Sequence, residues 1–195
     1  MPTVRIYATF KDPLNLYFLT EMFRPKLEVW EHCRSFGVLQ DDVARYSFLK
    51  ICECVQKLHS IDLIHRDLKP ENMFFTDESL DQIKLIDLGS SDDLSKPEMR
   101  ETFEDDSRRG QHKYFVGTSQ YMPPECAHNK PTTRASDIWS LGCILYQLYT
   151  GLPPFRGASD YLIFKLSCDA NFLKLDEHPE SILPQPAKDL IKKMI

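Results

Sequence analysis

Four polar side chains stand in an order that suits the handling of an anionic, metal-bound group: Asp67, Lys69, Asn72 and Asp87. A carboxylate at Asp67 can accept the hydrogen bond of a reacting hydroxyl and aim its oxygen. The ammonium of Lys69, two residues on, can offset negative charge as it develops. Asn72 supplies a neutral oxygen and Asp87 a charged one, the hard ligands that suit Mg²⁺. A lone aspartate in a loop is usually a turn or cap residue. The ordered set is different, because each member brings a distinct function that the others need.

These residues sit in two runs, His65-Arg66-Asp67-Leu68-Lys69-Pro70-Glu71-Asn72 and Asp87-Leu88-Gly89. The first fits the five fixed letters of H-R-D-L-x-x-x-N, a match expected by chance in roughly one unrelated chain in ten thousand. Pro123-Pro124-Glu125 follows later, in the position of a closing A-P-E motif. On these motifs the chain resembles a protein kinase catalytic domain over nearly its whole length. The resemblance implies an α+β, protein-kinase-like fold: a mostly helical large lobe with a remnant β-hairpin of the small lobe. It implies ATP and Mg²⁺ as cofactors, Asp67 as base, Lys69 on the transferring phosphoryl group, and Asn72 and Asp87 on the metal. It places Thr20 as the gatekeeper beside the adenine, Glu21 and Phe23 in the hinge, Phe74 beneath the adenine, and Glu71 on the nucleotide side of the loop. His65 and Asp137 become anchors, with Asp137 holding the loop backbone. Gly117, Thr118 and Glu125 become the substrate platform, with Thr118 bonding Asp67 and Lys69. Two blander roles stay open: Asp137 as a helix-start cap and Phe74 as ordinary core.

Leu68-Lys69-Pro70-Glu71 is the serine/threonine form of the loop. Phe115-Val116-Gly117-Thr118-Ser119-Gln120-Tyr121, Ser136-Asp137-Ile138-Trp139-Ser140-Leu141-Gly142-Cys143 and Gly151-Leu152-Pro153-Pro154-Phe155-Arg156 are similar to the 3-phosphoinositide-dependent kinases of the AGC group. That likeness implies protein substrates, other kinases of the same group among them, in cytoplasmic signalling. It also implies membrane recruitment through regions that this chain does not encode. Thr9 and Leu16 match the strand edge of a docking groove in that family, and both also read as ordinary strand residues. Arg66 would grip a phosphate on the activation segment with a bidentate contact. Tyr114 stands where the resembled kinases carry their activating serine, so a phosphoserine at that position is excluded; phosphotyrosine, or a phosphate on Ser107, stays open.

The elements that must position these groups are legible in outline. Val4, Ile6, Ala8 and Phe10 alternate with polar or aromatic neighbours, which predicts a strand. Turn residues at 11–15 and a second strand at 16–20 complete a hairpin. A short helix is expected over 27–34. A longer one is expected over about 42–59, with Phe48, Ile51, Cys52, Val55 and Leu58 facing the core. Strands at 73–75 and 83–86 should flank a polar turn and place Asn72 and Asp87 on opposite arms of a hairpin. Residues 90–121 show no periodicity and are acidic, which predicts a solvated loop. A helix over 133–149 is apolar nearly all round and should be buried. Ser159 should cap a helix over 160–167, and a last helix should start at Pro186. The resulting division is a small-lobe remnant at 1–20, a hinge at 21–25 and a large lobe at 26–195, with 87–125 as activation segment.

The composition bounds the partners. The chain has 195 residues, 42% of them hydrophobic, and a net charge of −5. No basic stripe points to nucleic acid, and no apolar run is long enough for a membrane span. Six cysteines occur without a C-x-x-C pair, which fits reduced thiols in the cytosol.

The kinase pattern also has gaps. The first glycine is Gly37, so no glycine-rich loop precedes the hinge, and no V-A-I-K lysine is present. Ile195 precedes the arginine that usually pairs with Glu125, so Glu125 is expected to be an unpaired carboxylate. The expectation is a kinase domain truncated at both ends, of low activity alone. A non-catalytic kinase-like interaction module is the alternative.

Overall fold

The computed structural model describes residues 2–24, 27–29, 31, 39–77, 79–96, 117–128, 130–169 and 172–195. Its strands are β1 (Ile6–Lys11), β2 (Leu16–Thr20), β3 (Leu63–Ile64), β4 (Met73–Phe75), β5 (Ile83–Leu85) and β6 (Asp92–Asp93). Its α-helices are α1 (Asp41–His59), α2 (Pro124–Ala127), α3 (Arg134–Thr150), α4 (Asp160–Ser167) and α5 (Gln185–Met194). Three antiparallel two-stranded ladders, β1–β2, β3–β6 and β4–β5, attach to this helical body. The α+β expectation holds.

Helix α3 organises the body because its sequence lets it be buried along most of its length. Thr133 caps it, its Oγ1 accepting from Ala135 N–H, while Ser136 Oγ accepts from Thr133 N–H. Gly151 ends it at φ 78°, a left-handed conformation that glycine adopts without a Cβ penalty. Leu141, Cys143, Ile144, Leu145 and Leu148 meet α1 residues Ile51, Val55 and Leu58 and α5 residues Ala187 and Ile191 in one core. The reading of α3 as apolar all round needs correction. Ile138 is 38% exposed, whereas Ser136, Asp137, Ser140 and Gln147 are buried. The polar groups go inside because they have partners there. Ser140 Oγ donates to Tyr121 O at 2.8 Å, and Tyr121 Oη donates to Gln147 Oε1 at 2.7 Å. Both bonds tie the segment that follows Thr118 to α3.

Helix α1 begins with Asp41 and Asp42 and has Lys57 in its last turn, each charge favourable to its end of the helix dipole. Its buried side is Ala44, Ser47, Phe48, Ile51, Cys54, Val55 and Leu58. Cys54 therefore replaces Cys52 in the expected stripe, with Cys52 only half-buried. The Cys54 thiol donates to Pro2 O and Ile83 O at 3.2 and 3.4 Å, which turns that position inward. Burial pushes both thiols up to about 11, so they stay protonated at neutral pH.

The first residues run beside β5: Leu85 N–H donates to Pro2 O at 2.8 Å and Val4 N–H to Leu85 O at 3.0 Å. The strand expected from Val4 therefore starts at Ile6, with an irregular register between Ile6 and Ala8. The alternation in β1 would ordinarily bury one face. Instead Ile6, Tyr7, Phe10, Leu16, Tyr17, Phe18 and Leu19 are all exposed, because no described layer covers either side of the ribbon.

Three further expectations meet the structure as follows. Of the helix expected over 27–34, the described part has Leu27 and Val29 buried; Pro25, Cys33 and the remainder lie outside the described residues. Residues 90–121 are not loop throughout, since Asp92–Asp93 pair with β3 and Ser119–Tyr121 form a 3₁₀ turn. Ser159 does cap α4, accepting from Leu162 N–H, and α5 carries Pro186 in its first turn.

Candidate active site

The site is built from Asp137 outward. This carboxylate, in the first turn of α3, is fully buried. Its Oδ2 accepts from His65 N–H at 2.9 Å, and its Oδ1 accepts from Arg66 N–H at 3.0 Å. His59 Nε2 lies 2.7 Å from Oδ2. Two loop amides are thereby fixed across 72 and 71 residues of sequence. The fixation matters because Arg66 has φ 66°, a strained conformation that costs a non-glycine residue on the order of 1–3 kcal/mol. His65 is buried between the loop and the strand that follows. Its Nε2 donates to Ile86 O at 3.1 Å, and its Nδ1 accepts from Asp67 N–H at 3.3 Å. That pattern requires the neutral ring with its proton on Nε2, and burial accordingly pushes the imidazole below its usual range.

Asp67 then emerges into a closed set of polar contacts. Thr118 Oγ1 donates to Asp67 Oδ1 at 2.8 Å. Lys69 Nζ donates to Asp67 Oδ2 at 3.0 Å and to Thr118 Oγ1 at 2.8 Å. Asn72 Nδ2 donates to Asp67 O at 3.0 Å and to Asp67 Oδ2 at 3.2 Å. The carboxylate is 8% exposed, so its orientation is set by these donors more than by water.

Asn72 and Asp87 sit at matching ends of the β4–β5 ladder, where Ile86 N–H donates to Asn72 O at 3.0 Å. Asp87 is exposed and left-handed (φ 57°), and its Oδ1 caps the next turn by accepting from Gly89 N–H at 3.2 Å. Aspartate tolerates this conformation better than most residues. The Asn72 nitrogen is committed to Asp67, which leaves its oxygen as the atom with ligand capacity. One carboxylate and one amide oxygen fit Mg²⁺ held mainly by substrate oxygens and water. Among the described residues no three His, Cys, Asp or Glu side chains gather into a self-sufficient metal cage.

Gly117 closes the site from the other side. It has φ 115°, and a Cβ there would lie 2.5 Å from Arg66 O and 3.5 Å from Asp67 Oδ1. Gly117→Ala is expected to push the activation segment off the loop and to lower stability by about 2 kcal/mol or more, through strain and overlap together. Thermal unfolding measures this, and an unchanged midpoint would mean that the close approach does not exist in solution.

Glu125 meets its expectation in part. No lysine or arginine pairs with it among the described residues, but it is half-buried and its Oε1 accepts from Ser136 Oγ at 2.8 Å. The capping serine of α3 thus also reaches this carboxylate, and a hydroxyl stands where the family pattern calls for a cation.

The residues expected to form a hinge border a cleft of about 610 Å³ lined by Val4, Thr20, Glu21, Phe23, Phe74 and Asp87, with four further residues. Thr20 ends β2 and pairs with Ile6. Phe23 stacks on Phe74, ring centroids 5.2 Å apart, which makes an apolar surface in the cleft. Glu21 is occupied structurally: its carboxylate accepts from Lys84 Nζ at 2.7 Å and from Arg5 N–H at 2.6 Å, and its own N–H donates to Arg5 O. Its carbonyl accepts no hydrogen bond among the described residues. Glu71 lies on the turn before Asn72, with a buried Oε2 that has no hydrogen-bond partner among the described residues. Glu28 is pushed up by its own burial and then by the charge of Glu71. Thr9 and Leu16 are exposed on the ribbon. Tyr114 and Ser107 lie outside the described residues.

Sequence reading missed His59, Lys84, Asp92 and Ser136. His59, Lys84 and Asp92 act through partners far along the chain and belong to no motif. Only Ser136 carried a signal, as the third residue of a Thr133 capping box.

Comparison with known proteins identifies the family. The protein kinase domain family matches residues 2–195. The chain is 37% identical over 193 residues to 3-phosphoinositide-dependent protein kinase 1 of Mus musculus, covering 98% of this chain and 31% of that protein. It is 40% identical over 183 residues to serine/threonine-protein kinase PDK1 of Cryptococcus neoformans, covering 92% and 14%. To 3-phosphoinositide-dependent protein kinase 1 of Arabidopsis thaliana it is 33% identical over 192 residues, covering 98% and 37%. The chain thus spans well under half the length of these relatives. No described helix is long and apolar enough to cross a membrane. Protein kinases as a family act on proteins with ATP and a divalent metal, and this chain belongs to that family, as a domain similar to the 3-phosphoinositide-dependent serine/threonine kinases.

Proposed function

We propose that the intact protein transfers the terminal phosphoryl group of ATP to serine and threonine hydroxyls of protein substrates, other AGC-type kinases among them, in cytoplasmic signalling. The observation that carries this reading is the closed contact of Asp67, Lys69 and Thr118. A carboxylate fixed by an ammonium and a hydroxyl is aimed. It accepts the hydrogen bond of the acceptor hydroxyl and orients that oxygen for in-line attack. Lys69 stands within reach of the same oxygen and offsets the charge of the transferring group. Thr118 links both to Gly117 and the platform that ends at Glu125, so peptide docking and base position are coupled.

Asn72 and Asp87 would hold Mg²⁺, which neutralises phosphate charge when bound. Phe74, Phe23 and the Glu21 carbonyl would hold the adenine end, beside Thr20 and Glu71. In this reading residues 1–20 belong to the small lobe, 21–25 to the hinge and 26–195 to the large lobe, with 87–125 as activation segment. Recruitment to membranes would fall to regions beyond this chain.

The test is a nucleotide titration on the intact gene product with and without a chelator. ATP binding is expected to weaken about tenfold or more when Mg²⁺ is removed, and Asp87→Asn or Asn72→Ala should erase that difference. Binding indifferent to Mg²⁺ would favour the non-catalytic interaction module.

A further inference from the structure

Arg66 is positioned twice over. Its backbone is held by Asp137 in a left-handed conformation. Its guanidinium reaches the segment after Asp87, where Nε donates to Ser90 O and Nη1 lies 3.8 Å from Asp92 Oδ2. The two side chains are only 16% and 18% exposed, so water screens the pair weakly. The backbone supports the same junction. Asp92 sits opposite Ile64 in the β3–β6 ladder, and Leu94 N–H donates to Asp62 O at 2.7 Å. The strand entering the catalytic loop and the segment leaving Asp87 are thus joined by a ladder whose inner end carries an ion pair. A phosphate brought to Arg66 would meet the carboxylate of Asp92 at close range, and like charges so placed repel.

We propose that Asp92 is a positioning residue that supplies, from within the chain, the negative charge holding Arg66, so that the catalytic loop is ordered without a phosphate on the activation segment. The proposal rests on the kinase reading for its effect on rate, and on the Arg66–Asp92 contact alone for its effect on order.

The experiment uses the intact gene product, treated with phosphatase and verified as phosphate-free by mass spectrometry. Phosphate-free wild type should retain the kcat of protein taken from its native cells. Asp92→Asn should lower kcat about tenfold while the KM for ATP stays within about twofold, and Asp92→Glu should recover most of the loss. Added to Arg66→Met, Asp92→Asn should cost nothing more, because the pair acts as a unit. Amide hydrogen exchange at residues 63–66 and 92–94 should quicken in Asp92→Asn. Wild type that is inert until phosphorylated, or an Asp92→Asn variant with unchanged rate and exchange, overturns the proposal. If no form transfers phosphate, the kinase reading is what fails; quickened exchange in Asp92→Asn would then still support the clamp, and unchanged exchange would overturn it.

Discussion

Asp67→Asn in the intact protein is expected to lower kcat by about 10²–10⁴-fold, the range associated with removing a positioned general base. Two effects combine. The amide cannot take up a proton or carry the charge that orients the acceptor hydroxyl. It also breaks the local donor–acceptor pattern. Asp67 Oδ1 accepts from Thr118, and Oδ2 accepts from both Lys69 and Asn72. An amide nitrogen on either side would face a donor, so Thr118 and Lys69 must rearrange. The KM for ATP should change little, because the Phe23–Phe74 floor and the Glu21 carbonyl are untouched. Steady-state kinetics with a peptide acceptor reads both constants. Near-normal kcat would remove Asp67 from the chemistry and the kinase mechanism with it.

Asp137→Ala is expected to have the largest effect on stability. It removes the acceptor from two loop amides and from His59. In a largely buried site each donor left unsatisfied costs about 1–3 kcal/mol, so the loss should be about 3–5 kcal/mol in all. For a domain of this size that corresponds to a fall in Tm of about 10 °C. Asp137→Asn should cost less, since one oxygen remains to accept from one of the two amides. Activity should fall in both variants, because Asp137 holds the Arg66 amide in its left-handed conformation at φ 66°. Calorimetry with kinetics separates the cases. A helix-start cap alone would cost only about 1 kcal/mol, so a loss that small would assign Asp137 the blander role.

The 65–72 loop was legible in the sequence because its motif is local: the six residues from Asp67 to Asn72 hold the proposed base, the ammonium and one proposed metal oxygen. The placement of Asp87 followed from two short apolar runs around a polar turn, since a tight antiparallel pair must bring its outer ends together. Helix ends were legible where a cap stands in the chain, as at Thr133, Ser159 and Gly151. What the sequence left open depends on partners far along the chain. Nothing near Cys54 says that Pro2 and Ile83 will offer carbonyls to its thiol, so the sequence spacing favours Cys52. Nothing near Glu125 says that Ser136 will reach it. Burial of Ser140 and Gln147 inside α3 depends on Tyr121, which the sequence places in a segment without periodicity. The alternation in β1 reported pleating correctly but not cover, because cover belongs to whatever packs on the ribbon.

That bare ribbon bears on affinity. A two-stranded hairpin with both faces in water is marginally stable on its own, yet β2 ends at Thr20 and so forms one wall of the cleft. A nucleotide bridging ribbon and helical body would draw on a common equilibrium, with part of its binding free energy spent on ordering the wall. Measured affinity is then a sum of contact and ordering, and whatever rigidifies the ribbon beforehand tightens nucleotide binding without touching the nucleotide.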